Sequence, residues 1–286
     1  MKSRLKAAIR RLVDGVLWLL DTNKIGRFGY EQIIASIMGR TQTVEYRGVH
    51  LTLAVPNAQN KFRADTFTSK EPETLEWISA IPQGAVLWDI GANVGLYACF
   101  AAKSRGCRVF AFEPSVFNLE TLARNTHLND LTSLVTIVPL PLSSQLGSST
   151  LNMTTTEWGG ALSTFGESYG YDGKPLNRTF AFSTIGLSMD QAVSLLDIPR
   201  PAYIKMDVDG IEHLILQGGP TVLAQATGVL IEINDAFPEQ AERASGYLSA
   251  AGFTLRDKRR WAAMSGSGFE DAYNQIWHRD KEPERP

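Results

Sequence analysis

From residue 85 onward the sequence alternates short apolar runs with amphipathic segments, and that rhythm leaves few folds open. Residues 85–90, 108–112 and 134–140 are apolar, while 94–103 and 116–128 between them carry apolar side chains at helical spacing. Strand, helix, strand, helix, strand in this order demands a parallel sheet with right-handed crossovers. The rhythm returns as a strand at 202–206, a helix at 211–218, a strand at 228–233 and a helix at 238–251. Two last apolar runs, 253–256 and 272–278, flank a Gly/Ser-rich stretch and are expected to pair as a hairpin. The expected fold is α/β: a Rossmann-like, mostly parallel twisted sheet that ends in an antiparallel strand pair.

Ahead of this unit, residues 1–70 read as a helical and β-hairpin extension, and 71–280 as the main domain. Leu5, Ile9, Leu12, Val16 and Leu20 share one helical face, with Lys2, Arg4, Lys6, Arg10 and Arg11 on the other. Such a stripe is expected to pack on its own domain or on a second copy, ahead of the alternative, contact of residues 1–20 with a membrane surface. A second helical segment surrounds Ile33, Ile34 and Ile37, residues 44–55 alternate about Gly48 as a hairpin, and 72–81 form a helix. Within the main domain, residues 143–200 are rich in Ser, Thr and Gly and too long for a simple connection. An insertion of that kind at the carboxyl edge of a parallel sheet shapes a cleft or lid. Its Trp158, Tyr169 and Tyr171 are candidates for stacking on a sugar face, or for packing the lid on its own core.

Several classes of function are excluded early. A net charge of −2 supplies no general attraction for nucleic acid. There is no run of eighteen apolar residues for a membrane span, and 16–20 is too short for a signal peptide, so the chain reads as mature protein. Cys99 and Cys107 form no CxxC motif and fit a reducing cytosol, and the four scattered histidines lack zinc spacing. No metal is expected.

The chemistry is concentrated in two segments. Val86-Leu-Trp-Asp-Ile-Gly-Ala-Asn-Val-Gly95 is a strand, an acidic residue at its carboxyl end, and a small-residue turn that opens the next helix. Gly91 and Gly95 admit close approach of a ligand, and the charge of Asp89 suits a cation better than a pyrophosphate. The ammonium and sulfonium of S-adenosylmethionine (SAM) match that demand. Glu113 ends the second strand about 20 residues further on, where a carboxylate accepts ribose hydroxyls. Ser143 and Ser144, after the third strand, border the expected adenine position, although a plain turn explains them equally. The second segment, 203–213, gathers Lys205, Asp207, Asp209 and Glu212 at the end of a central strand, an arrangement that suits shifted pKa values and chemistry. Its structural alternative has Asp209-Gly210 capping the next helix and Lys205 paired with Glu212.

In this order DIGANVG, FEP, KMDVDGIEHLILQG and VLIEIN resemble the FkbM family of SAM-dependent methyltransferases, over residues 85–255. The resemblance implies that Asp89, Gly91, Asn93 and Gly95 hold the methionine end of SAM and Glu113 its ribose. It also implies that Lys205, Asp207 and Glu212 are the family's lysine, aspartate and glutamate. Asp209, Ile211 and Ser144 depart from the usual glutamate, alanine and aspartate. The implied acceptor is a hydroxyl of a sugar, glycan or secondary metabolite. Because a sulfonium methyl is already activated, the protein has mainly to align the acceptor oxygen and take its proton, which points to Asp207 as base, Lys205 as its tuner and Glu212 as a brace. A magnesium variant would use Asp207 with Glu232, Asn234 or Asp235. A nicotinamide-dependent oxidoreductase would want three glycines where only Gly91 and Gly95 stand. A non-catalytic SAM-binding domain that recruits a partner is the remaining alternative.

Overall fold

The structure is a computed structural model and describes residues 2–260 and 269–279. The Gly/Ser-rich stretch and the charged tail beyond Arg279 therefore lie outside the described residues. Two helices, α1 (Lys2–Asp21) and α2 (Lys24–Met38), precede a hairpin of β1 (Thr41–Tyr46) and β2 (Val49–Ala54). Arg47 and Gly48 between the strands both have positive φ, 50° and 79°, the twist that a two-residue hairpin turn requires. Helices α3 (Ala58–Asp65) and α4 (Pro72–Ala80) follow. The sequence pattern gives no helix between the hairpin at 44–55 and the helix at 72–81, so α3 is an addition. Asn57 is in fact its N-cap, accepting from the Asn60 N–H at 2.9 Å.

The main sheet contains β3 (Val86–Ile90), β4 (Arg108–Phe112), β5 (Val135–Val138), β9 (Tyr203–Met206), β10 (Gly228–Asn234), β11 (Phe253–Arg259) and β12 (Ala272–Arg279). Its order is β11-β12-β10-β9-β3-β4-β5, with β12 running antiparallel between β10 and β11. The expected terminal pair is thus present, and its second strand inserts beside β10. β5 stops at Val138, short of the expected 140, because Pro139 and Pro141 cannot donate to the ladder. Helices α5 (Leu96–Arg105), α6 (Val116–Leu128), α8 (Glu212–Gln217), α9 (Pro220–Leu223) and α10 (Pro238–Ala250) cover the faces.

Because strand side chains alternate, each central strand feeds two cores. Trp88, Ile90, Ile204 and Met206 point to the layer under α8 and α10, whereas Leu87, Val109 and Leu230 meet α4, α5 and the β1–β2 hairpin. Asp89 and Lys205 occupy the second face, directly opposite each other in the β3–β9 register. The 143–200 segment builds its own three-stranded sheet from β6 (Gly147–Met153), β7 (Ser163–Phe165) and β8 (Phe180–Gly186), followed by α7 (Met189–Leu196). Leu151, Met153 and Phe165 anchor this small sheet on the α8 side of the core.

Candidate functional site

Strand order reverses between β3 and β9, and the crevice opens there, at the carboxyl ends of the parallel strands. Two adjoining cavities occupy it. The larger, about 500 Å³, is walled by Lys70, Glu71, Lys205, Asp207 and Glu232. The smaller, about 50 Å³, lies against Glu113 and the apolar side chains Leu140, Leu142 and Ile211. Gly91, Asn93, Gly160, Asp207 and Asp209 line both.

The first motif makes the floor. Gly91 has φ +80°, and a Cβ there would stand 1.8 Å from the Asp207 carbonyl oxygen, so only glycine lets β3 and β9 exit side by side. Asn93, at φ 50°, donates its N–H to Glu113 Oε2 at 2.8 Å. The Ser115 N–H donates to Glu113 Oε1, also at 2.8 Å. Burial pushes the Glu113 carboxyl up to about 7, against the pull of these donors. Gly95 caps α5 at φ +80°, where a Cβ would strike Leu122. Its part is packing of α5 on α6, and it lines neither cavity.

Asp89 likewise lies beneath the floor. It is 1% exposed, lines neither cavity, and has Lys205 Nζ 3.5 Å from Oδ1. Lys205 also reaches Asp207 Oδ2 at 3.8 Å and lies over the Tyr97 ring at 5.2 Å. The pairing of Lys205 with Glu212 weighed from the sequence is replaced by this Asp89–Lys205–Asp207 chain. Glu212, buried, accepts from the N–H groups of Val208 and Gly210 at 3.0 Å each and from the Gln240 amide. It braces the turn after β9 and lines neither cavity; burial raises it to about 7. Asp209 does not cap α8. It stands at φ 63° and accepts from the Leu162 and Ser163 N–H groups, tying the insertion to the floor. Burial first, and then Asp207, lift it to about 6. Ser143 and Ser144 stand away from both cavities: Ser143 N–H donates to Leu187 O, and both carbonyls face Gly218. Leu140 and Leu142 hold the place assigned to them.

The roof was not legible in the sequence. Asn118, in the first turn of α6, accepts from Gly159 N–H and donates to Gly160 O. Asn93 Nδ2 donates to the same carbonyl at 2.7 Å. From α3, Asn57 and Asn60 donate to Trp158 O, and Arg63 donates twice to Gly159 O. The insertion's tip therefore bridges the extension and the main domain. Tyr169 packs edge-on against Phe237 and Tyr171 stacks on Phe269, so these two rings dock the insertion on the main domain. Lys70 and Glu71 pair at 2.6 Å. Burial opposes ionisation of Glu71, but Lys70 and Lys205 together hold it below the usual carboxylate range.

These residues fit a SAM-like group. Glu113 suits ribose hydroxyls, the Leu140–Ile211 wall suits a flat base, and the buried Asn93 Oδ1, which has no hydrogen-bond partner, suits a donor on the ligand. Ligand pockets run about 300–1,000 Å³. The smaller cavity is far below that range, so the Gly160–Ala161 roof must withdraw to admit an adenosine. The magnesium variant fits less well. Asn234 Oδ1 accepts from Ala236 N–H and Asp235 pairs with Lys258 at 2.6 Å, which leaves Asp207 and Glu232.

A family model described as the methyltransferase FkbM domain matches residues 89–255. The chain belongs to this family. The matched span runs from Asp89, beneath the floor, through Trp158–Leu162 to β11, while Arg63, Lys70 and Glu71 on the wall of the larger cavity lie ahead of it. The chain is 31% identical over 157 residues to the hexuronic acid methyltransferase AglP of Haloferax volcanii, covering 52% of this chain and 56% of that protein. It thus spans about half the length of the curated relative it matches. Among solved structures it is similar to a precorrin-6y C5,15-methyltransferase from Geobacter metallireducens, with TM-score 0.44, 12% identity and coverage of 74% of this chain and 87% of that one. It is also similar to a tRNA methyltransferase of M. jannaschii, with TM-score 0.45, 10% identity and coverage of 85% and 57%. Neither likeness bears on the chemistry of this FkbM domain.

The buried carboxyls give the domain an unusual pH dependence. Glu113 and Glu212 titrate near 7 when folded against 4.5 as free groups, and Asp209 near 6 against 3.8. Between those limits the folded state binds more protons than the unfolded chain, so stability falls as pH rises. His213, which burial holds near 4, acts in the opposite sense but is one group against three. The ligand-free protein is expected to melt several degrees higher at about pH 6 than at about pH 8. Scanning calorimetry checks this, and an equal or higher midpoint at the alkaline end contradicts it.

Proposed function

We propose that this chain transfers the methyl group of SAM to an oxygen of a sugar. The observation that carries the reading is the meeting of the two cavities at Asp207. One side offers Glu113, Asn93 and an apolar wall for a nucleoside, and the other is a chamber with Arg63, Lys70, Glu71 and Asp207 on its walls, large enough for a glycosyl unit. SAM, when bound, supplies a methyl group on a sulfonium. Asp207, 28% exposed at its side chain, accepts the hydroxyl proton as the oxygen turns nucleophilic. Lys205 holds that carboxylate in place from below, and Glu212 fixes the turn that presents it. Glu113 and Asn93 hold the cofactor. Asp89 contributes through Lys205 instead of by contact. The roof from Trp158 to Leu162 excludes water once it is closed over the pair.

A sugar acceptor is supported by the name of the relative, a hexuronic acid methyltransferase, and by a chamber rich in hydrogen-bonding side chains. Lys70 and Arg63 on its wall suit an acceptor that carries a carboxylate. The two free, buried cysteines suit work in a reducing cytosol. The test is incubation with methyl-labelled SAM and a panel of neutral glycosides, uronosides and fractionated lysate. Alkali-stable label on a sugar is expected, as an ether requires. Alkali-labile label would move the acceptor atom to a carboxyl oxygen, and incorporation confined to non-carbohydrate material would refute a sugar acceptor.

A further inference from the structure

The α1–α2 pair poses a problem that the methyl-transfer site does not solve. Among the described residues, twenty-two large apolar side chains are exposed, and thirteen of them lie between Leu5 and Ile37. Those of α1 are 43–72% exposed, and Ile25 in α2 reaches 85%. No described residue of α1 is buried, and in α2 only Gly26 is. The expected packing of this helix on its own domain is therefore absent. Single exposed leucines are ordinary, but a contiguous group of this size marks a surface with a partner.

Charge identifies the partner. Residues 2–38 hold seven basic and three acidic residues, a net +4 on a chain whose total is −2, so the remainder carries −6. The most apolar exposed part of the molecule is also its most basic. A second copy would bring like charge against like charge across the same contact. A bilayer with anionic headgroups accepts both properties together: apolar side chains enter the acyl boundary while Arg4, Arg10 and Arg11 stay at the phosphates. Trp18, Phe28 and Tyr30 provide rings suited to the headgroup level. Among the described residues no helix is long and apolar enough to cross a membrane, which leaves the hairpin to lie on one.

We infer that α1 and α2 dock the protein on an anionic phospholipid surface. The inference stands apart from the chemistry of the crevice, since none of its residues lines either cavity. The experiment is co-sedimentation of the full chain with vesicles of phosphatidylcholine containing about 30 mol% phosphatidylglycerol, against pure phosphatidylcholine. The protein is expected to pellet with the anionic vesicles only, and about 0.5 M salt is expected to release much of it. Combined Arg4→Glu, Arg10→Glu and Arg11→Glu should weaken partitioning about tenfold or more. Thermal unfolding of that variant should match the parent, because these side chains are exposed. Equal pelleting with both lipids would overturn the assignment. So would the lack of any pelleting, whether the protein then sediments as a monomer or as a dimer that Leu12→Ser with Val16→Ser dissolves; the dimer would assign the face to a second copy.

Discussion

Asp207→Asn is expected to lower kcat by about 10²–10⁴-fold while leaving the affinity for S-adenosylhomocysteine within about threefold. An alcohol must lose its proton as it attacks, and Asp207 is the carboxylate that faces both cavities without being spent on a backbone turn. Its neighbours are committed elsewhere: Asp209 to the Leu162 and Ser163 N–H groups, and Glu212 to those of Val208 and Gly210. Glu232 shares the chamber, but burial and then the charge of Asp207 push its carboxyl well above the usual range, which disfavours its ionised form. The amide preserves shape and removes the proton acceptor, so the defect belongs in kcat and not in cofactor binding. Isothermal titration with S-adenosylhomocysteine and single-turnover methylation separate the two. Lost affinity with a nearly normal single-turnover rate would instead make Asp207 a clasp on the cofactor.

The same neighbourhood shows where a sequence is readable and where it is not. Short continuous apolar runs marked the five parallel strands to within about two residues, since a strand buried on both faces leaves its pattern in every position. The Asp89 and Glu113 loops were legible for a related reason, namely that the carboxyl end of a parallel strand is where a polar residue has somewhere to go. What each residue touches was less legible. Asp89 and Gly95 sit in the right motif yet act below the cavity, on Lys205 and on Leu122. Ser143 and Ser144 follow the right strand yet turn toward Leu187 and Gly218, because Pro139 and Pro141 end β5 early and Leu140 and Leu142 take the cavity wall. The roof left no periodic trace, since Asn57, Asn60, Arg63 and Asn118 converge on Trp158, Gly159 and Gly160 from segments about 40–100 residues away. One signal was available: Asn118 is a polar residue in the first turn of the helix that follows Glu113 at the end of β4.

Lys205→Met should cost stability even where activity is ignored, and by a large amount. The β3–β9 register sets Asp89 and Lys205 opposite each other in the middle of the sheet, with side chains 1% and 3% exposed. Burial drives Asp89 upward and Lys205 pulls it back. Removing one partner of such a pair strands the other charge in low dielectric, a loss of about 3–5 kcal/mol. The penalty belongs to Asp89 and not to lost packing, because methionine keeps most of the lysine stem's volume. Two consequences separate these causes. Adding Asp89→Asn to Lys205→Met should recover much of the loss, and the deficit of the single variant should shrink at about pH 5 relative to pH 8. Without its lysine, the folded Asp89 takes up a proton more readily than the unfolded chain does, so stability falls as pH rises. Urea unfolding of the parent, both single variants and the double variant at the two pH values completes the cycle. A double variant no more stable than Lys205→Met, with a deficit independent of pH, would mean that Lys205 supports the sheet through its contact with Tyr97 and not through Asp89.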